Sequence, residues 1–221
     1  MGFVYLFAMA TSIFTEAFAR GQLIVPDNAA ETARNIVAHE RLFRLGIASY
    51  LLCMASDVAL IAGLYVILER VNRNLALFAA FMRLMETAIG VVATLNSFDV
   101  LRLLSGADYL QAFRTDQLQV LARIPLGAYG AAINVSFVFL GLGSAVFGYL
   151  WFKSNYIPKA LAALGVFGSL LLAAGSFAFI IFPSLSMILL PAYFAPIFVF
   201  EVTMGFLLLL KGLRSSANSR A

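Results

Sequence analysis

Cysteine and histidine are almost absent from this chain of 221 residues, with one of each, Cys53 and His39. A lone cysteine excludes an intrachain disulfide and a C-x-x-C redox pair. A lone histidine excludes a His-rich metal site within one chain. Charge is scarce too. Asp, Glu, Lys and Arg make up 12% of the residues, about half of what a soluble domain carries. The net charge of +4 comes with no basic stripe and no interleaved aromatics, so nucleic acid is not an expected partner. Phosphate loops of the G-x-x-x-x-G-K type, G-x-G-x-x-G turns, H-E-x-x-H and G-x-S-x-G are all missing. Asp57 and Asp99 lack the G-x-G-D context of an intramembrane aspartyl protease. No catalytic set, metal site or cofactor site stands out. An enzyme built on this chain would work with carboxylates, Arg and Tyr alone, and the sequence favours a non-catalytic protein.

What the chain has instead is apolar length. It is 62% hydrophobic, with mean hydropathy +0.95. Spanning a bilayer as a helix takes about 20 apolar residues. Six segments reach that length, at about 1–20, 42–68, 75–104, 126–152, 157–182 and 187–211. The expected fold is all-α: a polytopic membrane bundle of six transmembrane helices, forming one domain over 1–221. The first segment is followed by Ala17-Phe18-Ala19, an A-x-A pattern, but no Lys or Arg precedes Arg20. A signal peptide opens with positive charge, so the first helix is expected to be retained. Pro158 suits the first turn of the fifth helix. Pro191 and Pro196 are expected to kink the sixth or to make its outer end a re-entrant turn.

Loop charges set the orientation. Arg70 and Arg73 lie between spans two and three, Lys153 and Lys159 between four and five, and Lys211, Arg214 and Arg220 in the tail. Six spans put all three groups on one side, which places both termini in the cytoplasm. The two longer loops carry amphipathic patterns. In the first, Asn28 and Glu31 approximate a capping box, and Ala33, Ile36 and Val37 form an apolar face. In the second, Leu118, Leu121 and Ala122 share one side. Both are expected to be short helices on the outer membrane surface, or else ordered connectors. Small residues recur as Gly141, Ala145 and Gly148 in span four and as Gly165, Ser169 and Ala173 in span five. Such stripes let backbones approach closely, and packing within the chain is expected from them.

Four ionisable residues interrupt the apolar runs: Asp57, Arg83, Glu86 and Glu201. Counting about 1.5 Å per residue from the inner boundaries puts them roughly 14 to 18 Å deep. That is near the middle of a hydrocarbon core about 30 Å thick. A lone charge there costs roughly 3 kcal/mol on insertion scales. Arg stays charged and must find anions. Arg83 and Glu86 sit at i and i+3, on one helix face. Asp57 and Glu201 reach that face only if spans two, three and six are neighbours. Three carboxyls then surround one guanidinium. Either some of them hold protons, or a cation or water completes the site. The alternative is a structural charge cluster that fixes helix packing. Nearer the outer face, Glu16, Asn96, Asp99, Tyr129 and Asn134 form a second polar tier, either the mouth of a cavity or interfacial residues bonded to water. The partners in view are the lipid bilayer, a small cationic or polar solute or a proton, and a second copy of the chain. The functions in view are a small proton- or cation-coupled transporter or solute-binding membrane protein, a non-catalytic scaffold or sensor subunit, and a lipid- or quinone-active enzyme.

The stretch from "ARGQLIVPDNAAETARNIVAHERLF" to "FAAFMRLMETAIG", with "LSGADYLQAF", "DQLQVLA", "GYLWFKSNYIPKALAALGV" and "FEVTMGFLLLLKG", resembles a bacterial family of small integral membrane proteins. That family is known only as a domain of unknown function. The resemblance spans essentially the whole chain. It implies six spans and a bacterial inner membrane, and it implies no activity. Arg20, Gly21, Asp57, Met82, Arg83, Leu84, Gly148, Tyr149, Pro158 and Glu201 occupy recurring positions of the family pattern. Many relatives carry histidine where this chain has "LGAYGAAINV" and "FLGLGS", which puts a histidine-based role in doubt here.

Overall fold

The computed structural model describes residues 1–213, and within 186–192 the backbone alone. Arg214 and Arg220, used above for orientation, lie outside the described residues. Among those residues the chain is all helical, with no strand. Helix α1 covers Gly2–Leu23, and its stretch Phe14–Arg20 is wound as a π-helix. Helix α2 is Ala29–Ala38, α3 is Glu40–Leu103, α4 is Thr115–Ser154, α5 is Lys159–Ile181 and α6 is Ser186–Leu210. Five of these, all but α2, are long and apolar enough to cross a membrane. Between 22% and 39% of each spanning window is buried within the protein. The rest is apolar surface, with Phe3, Phe81, Val92, Phe167 and Ile181 more than half exposed. Water would not tolerate so much exposed apolar area, whereas lipid matches it, so the chain is a multi-pass membrane protein.

Three expectations about the elements need correction. The basic connector Glu69–Asn74 is helical rather than a turn. Only Asn72 leaves helical geometry, at φ −161° and ψ 107°, dividing α3 into arms 40–71 and 73–103. The Asn72 side chain accepts from the N–H of Leu75 (3.0 Å), capping the second arm. The outer segment Thr115–Leu121 is not a separate helix. It runs on through Ala122, whose backbone stays right-handed helical, into Arg123–Ser154. The backbone of α6 is helical through both Pro191 and Pro196, preceded by a short 3-10 turn at Pro183–Leu185.

The chain forms two compact units. One comprises Met1–Phe7, Ser56–Ala88 and the chain from Asn134 on. Its core gathers Tyr5, Leu64, Leu68, Phe147, Trp151 and Met204. Glycine sets the closeness of its helices. A Cβ on Gly141 would stand 2.6 Å from the carbonyl oxygen of Ser169, and one on Gly148 would stand 3.0 Å from the backbone nitrogen of Val166. The small-residue stripes of α4 and α5 therefore face each other within the chain. A Cβ on Gly168 would likewise press on the backbone of Ile197 in α6 (2.7 Å).

The other unit comprises Ala8–Ala55 and Ile89–Ile133. Leu23, Ile36, Phe43, Ile47, Val100 and Leu126 form its core. α2 begins as its sequence suggests. Asn28 accepts from the N–H of Glu31 (3.0 Å), and its amide donates to the Glu31 carboxylate (2.8 Å). Ala33 and Ile36 are buried, but Val37, assigned to the same face, is exposed. α1 lies tight on the first arm of α3, because Gly46 faces Ala19 with no room for a Cβ. Thr15 Oγ1 donates to the Gly46 carbonyl (3.1 Å) and Ser49 Oγ to that of Thr11 (3.0 Å). Hydroxyls bonded to neighbouring carbonyls are the usual polar contacts between helices in lipid.

Candidate functional site

The first unit holds a buried charge centre. Asp57 comes from the first arm of α3, and Arg83 and Glu86 come from the second. Each is less than a tenth exposed. Arg83 Nη2 is 3.4 Å from Asp57 Oδ1, and Arg83 Nε is 3.7 Å from Glu86 Oε2. The break at Asn72 turns the chain so that the two arms meet here. Arg83 Nη1 also donates to Ser144 Oγ on α4 (3.3 Å). That approach depends on Gly143, where a Cβ would stand 3.0 Å from Arg83 Cγ and 3.0 Å from the Ala79 carbonyl oxygen. Thr87 Oγ1 lies within donating distance of both the Arg83 carbonyl (3.0 Å) and the Glu86 carboxylate (3.4 Å).

Glu201, on α6, lies close enough to Arg83, Asp57 and Tyr5 to interact electrostatically with each of them. It is half-buried and makes no direct ion pair with a described residue. All four sequence candidates are thus brought to one place, with Tyr5 of α1 beside them. Tyr5, Ser144 and Thr87 were passed over because a neutral hydroxyl in an apolar run gives no cost signal of the kind a charge gives. Gly143 was passed over because it lies between the residues of the stripe identified in span four.

Of the five residues of the outer tier, Glu16 and Tyr129 bond to each other, Glu16 Oε1 accepting from Tyr129 Oη (2.8 Å) in the second unit. Asp99 pairs with Arg102 (2.7 Å) at an exposed position of that unit, and Asn96 donates to the Ala93 carbonyl (3.2 Å). Asn134 belongs to the first unit and donates to the Ser176 carbonyl (3.2 Å). No group of three or more His, Cys, Asp or Glu arranged to hold a metal occurs among the described residues. Cys53 is a buried thiol.

No curated protein and no solved structure matches the chain. One family model does, over residues 1–212, nearly the whole sequence. A multi-pass helical protein with an Arg83 ion-paired to Asp57 and Glu86 inside it, the chain belongs to the family described as Domain of unknown function (DUF4386).

Proposed function

We propose that the chain is a six-span protein of a bacterial inner membrane, forming one domain with both termini cytoplasmic. In this reading the arms of α3 on either side of Asn72 cross separately. We further propose that it is a small proton- or cation-coupled transporter or solute-binding protein whose working centre is Asp57, Arg83, Glu86 and Glu201. The observation that supports this is the charge count. Three carboxyls share one guanidinium, and Arg83 makes its direct ion pairs with Asp57 and Glu86, leaving Glu201 out. Fully ionised, the centre would hold two excess negative charges in a low-dielectric interior, which is strongly unfavourable. A proton or a cation relieves it, and binding of either becomes coupled to the other. Arg83 orients Asp57 and Glu86, and Glu201 is the acid that exchanges.

A second reading is favoured by the same ion pairs: the cluster only fixes helix packing in a scaffold or sensor subunit. Reconstitution separates the two. Liposomes containing the protein and a pH-sensitive dye are challenged with sodium, potassium or ethidium gradients. The transporter reading expects cation-driven proton movement that Glu201→Gln and Asp57→Asn abolish. No proton movement in the wild type, or movement unchanged in both variants, overturns it in favour of the structural reading.

A further inference from the structure

In the first unit, two lysines sit together where α4 ends and α5 begins. Lys153 is in the last turn of α4, and Lys159 is the first residue of α5. Between them Asn155 takes left-handed backbone at φ 57°, a conformation that asparagine tolerates at a helix end, and Pro158 caps the start of α5. Ile157, 1% exposed, pins this short reversal to the core. Lys159 is thereby returned to the flank of α4. Lys153 Nζ stands 5.3 Å from the centroid of the Tyr149 ring, and Lys159 Nζ stands 5.7 Å from that of Phe152. Both distances are within cation–π reach, about 6 Å. Tyr149 and Phe152 are three residues apart on one helix and so are neighbours, which puts both ammonium groups over one face of α4. Neither lysine is ion-paired among the described residues.

The same face of α4 is apolar and open along its length. Val135, Leu142 and Tyr149 recur every seven residues, which keeps them on one side of the helix, and with Phe152 they are between 37% and 42% exposed. From Val135 to Tyr149 the helix rises about 21 Å. One leaflet of a hydrocarbon core about 30 Å thick is shorter than that. An exposed apolar strip therefore runs the depth of a leaflet and ends under two unpaired cations. Tyrosine and lysine at the end of a span lie at the level of the lipid headgroups. α5 also begins there without a side-chain cap, and the first N–H groups of a helix favour an anion.

We propose that this corner of α4 and α5 binds one anionic phospholipid, with its phosphate between Lys153 and Lys159 and an acyl chain along Val135, Leu142 and Tyr149. The occupant is a lipid and not free phosphate, because positive charge and apolar length occur together on one helix face. An anionic headgroup is preferred over a zwitterionic one, whose own cation the two ammonium groups repel. The site is separate from the charge centre, and it stands whether or not the protein transports anything.

The test uses the full chain purified in detergent and titrated with phosphatidylglycerol, the bound lipid being counted by native mass spectrometry. Phosphatidylcholine is the reference. The wild type is expected to bind a first phosphatidylglycerol roughly tenfold or more tightly than phosphatidylcholine. Lys153→Gln and Lys159→Gln are each expected to weaken that binding about fivefold and to leave phosphatidylcholine unaffected. Both side chains are exposed, so neither substitution disturbs the core. Arg70 is the control: it is exposed in the same unit but stacks on no ring among the described residues. Arg70→Gln is expected to change the affinity by less than about twofold. Glycerol phosphate, a headgroup without chains, is expected not to displace the lipid at equal concentration. The proposal is overturned if the two lipids bind alike, or if neither lysine variant weakens phosphatidylglycerol. It is equally overturned if Arg70→Gln weakens it as much as they do, which would mean a diffuse attraction, or if glycerol phosphate displaces it, which would mean a site for free phosphate.

Discussion

Removing Arg83 and removing Glu201 should have opposite consequences, and the difference follows from the geometry of the charge centre. Arg83 lies 3.4 Å from Asp57 and 3.7 Å from Glu86. At an effective dielectric constant of about 20, each attraction is worth roughly 5 kcal/mol. Desolvating each ion costs several kcal/mol in return, so the cluster as a whole contributes far less than the sum. Taking away one partner of a buried pair nevertheless costs about 3–5 kcal/mol, because the other is left uncompensated. Arg83→Gln leaves three carboxyls with no cation and should lose that much. Glu201→Gln removes a charge that has no direct ion pair and lowers the negative excess. Its stability should stay within about 0.5 kcal/mol of the wild type or rise. The single tryptophan, Trp151, lies 2% exposed in the core of the same unit, so its fluorescence reports unfolding there. Titration of mixed micelles with dodecyl sulfate, followed by Trp151 emission, measures both variants. Equal destabilisation by the two substitutions, or a loss above about 2 kcal/mol for Glu201→Gln, would refute the charge count.

Other substitutions test packing, capping and topology. Gly141→Ala puts a methyl group against the Ser169 carbonyl and should cost about 1–3 kcal/mol in the same titration. Gly127→Ala, with nothing within 4 Å, should be neutral or stabilising by up to about 1 kcal/mol. If the two behave alike, the stripe-to-stripe contact of α4 and α5 is not as described. Asn28→Ala removes the cap on α2 and should cost about 1 kcal/mol, seen as faster hydrogen exchange at the Glu31 amide. In a chain whose buried Cys53 is changed to Ala, maleimide should label Lys153→Cys and Gln111→Cys from opposite faces of the membrane. Labelling of both from one face would remove the proposed six-span topology.

Arg83, Asp57 and Glu201 were legible from the sequence because a charge in an apolar run carries a cost that only a partner removes. That cost argument names residues from three distant stretches and requires them to meet, which is why depth counting alone gathers Asp57, Arg83, Glu86 and Glu201. It has no purchase on neutral groups. Tyr5 and Ser144 sit beside the centre, but a hydroxyl in a helix can bond to a carbonyl of its own preceding turn, as Thr11 and Thr203 do. The sequence therefore leaves open which hydroxyls point inward. The same limit explains the outer tier. Asp99 and Asn96 were grouped with Glu16 and Tyr129 by depth, yet each finds a partner within one turn of its own helix. Depth says how far a side chain is from water and nothing about the side of the helix it faces. Arg20 shows the opposite failure. At the end of a span it passes for a topology signal, since an interfacial Arg normally reaches water. Its stacking on Tyr129 from a π-helical turn leaves its side chain only 13% exposed instead. Helical pattern analysis at 3.6 residues per turn misplaces side chains beyond such a turn, so the stacking of Arg20 on Tyr129 shows only in three dimensions.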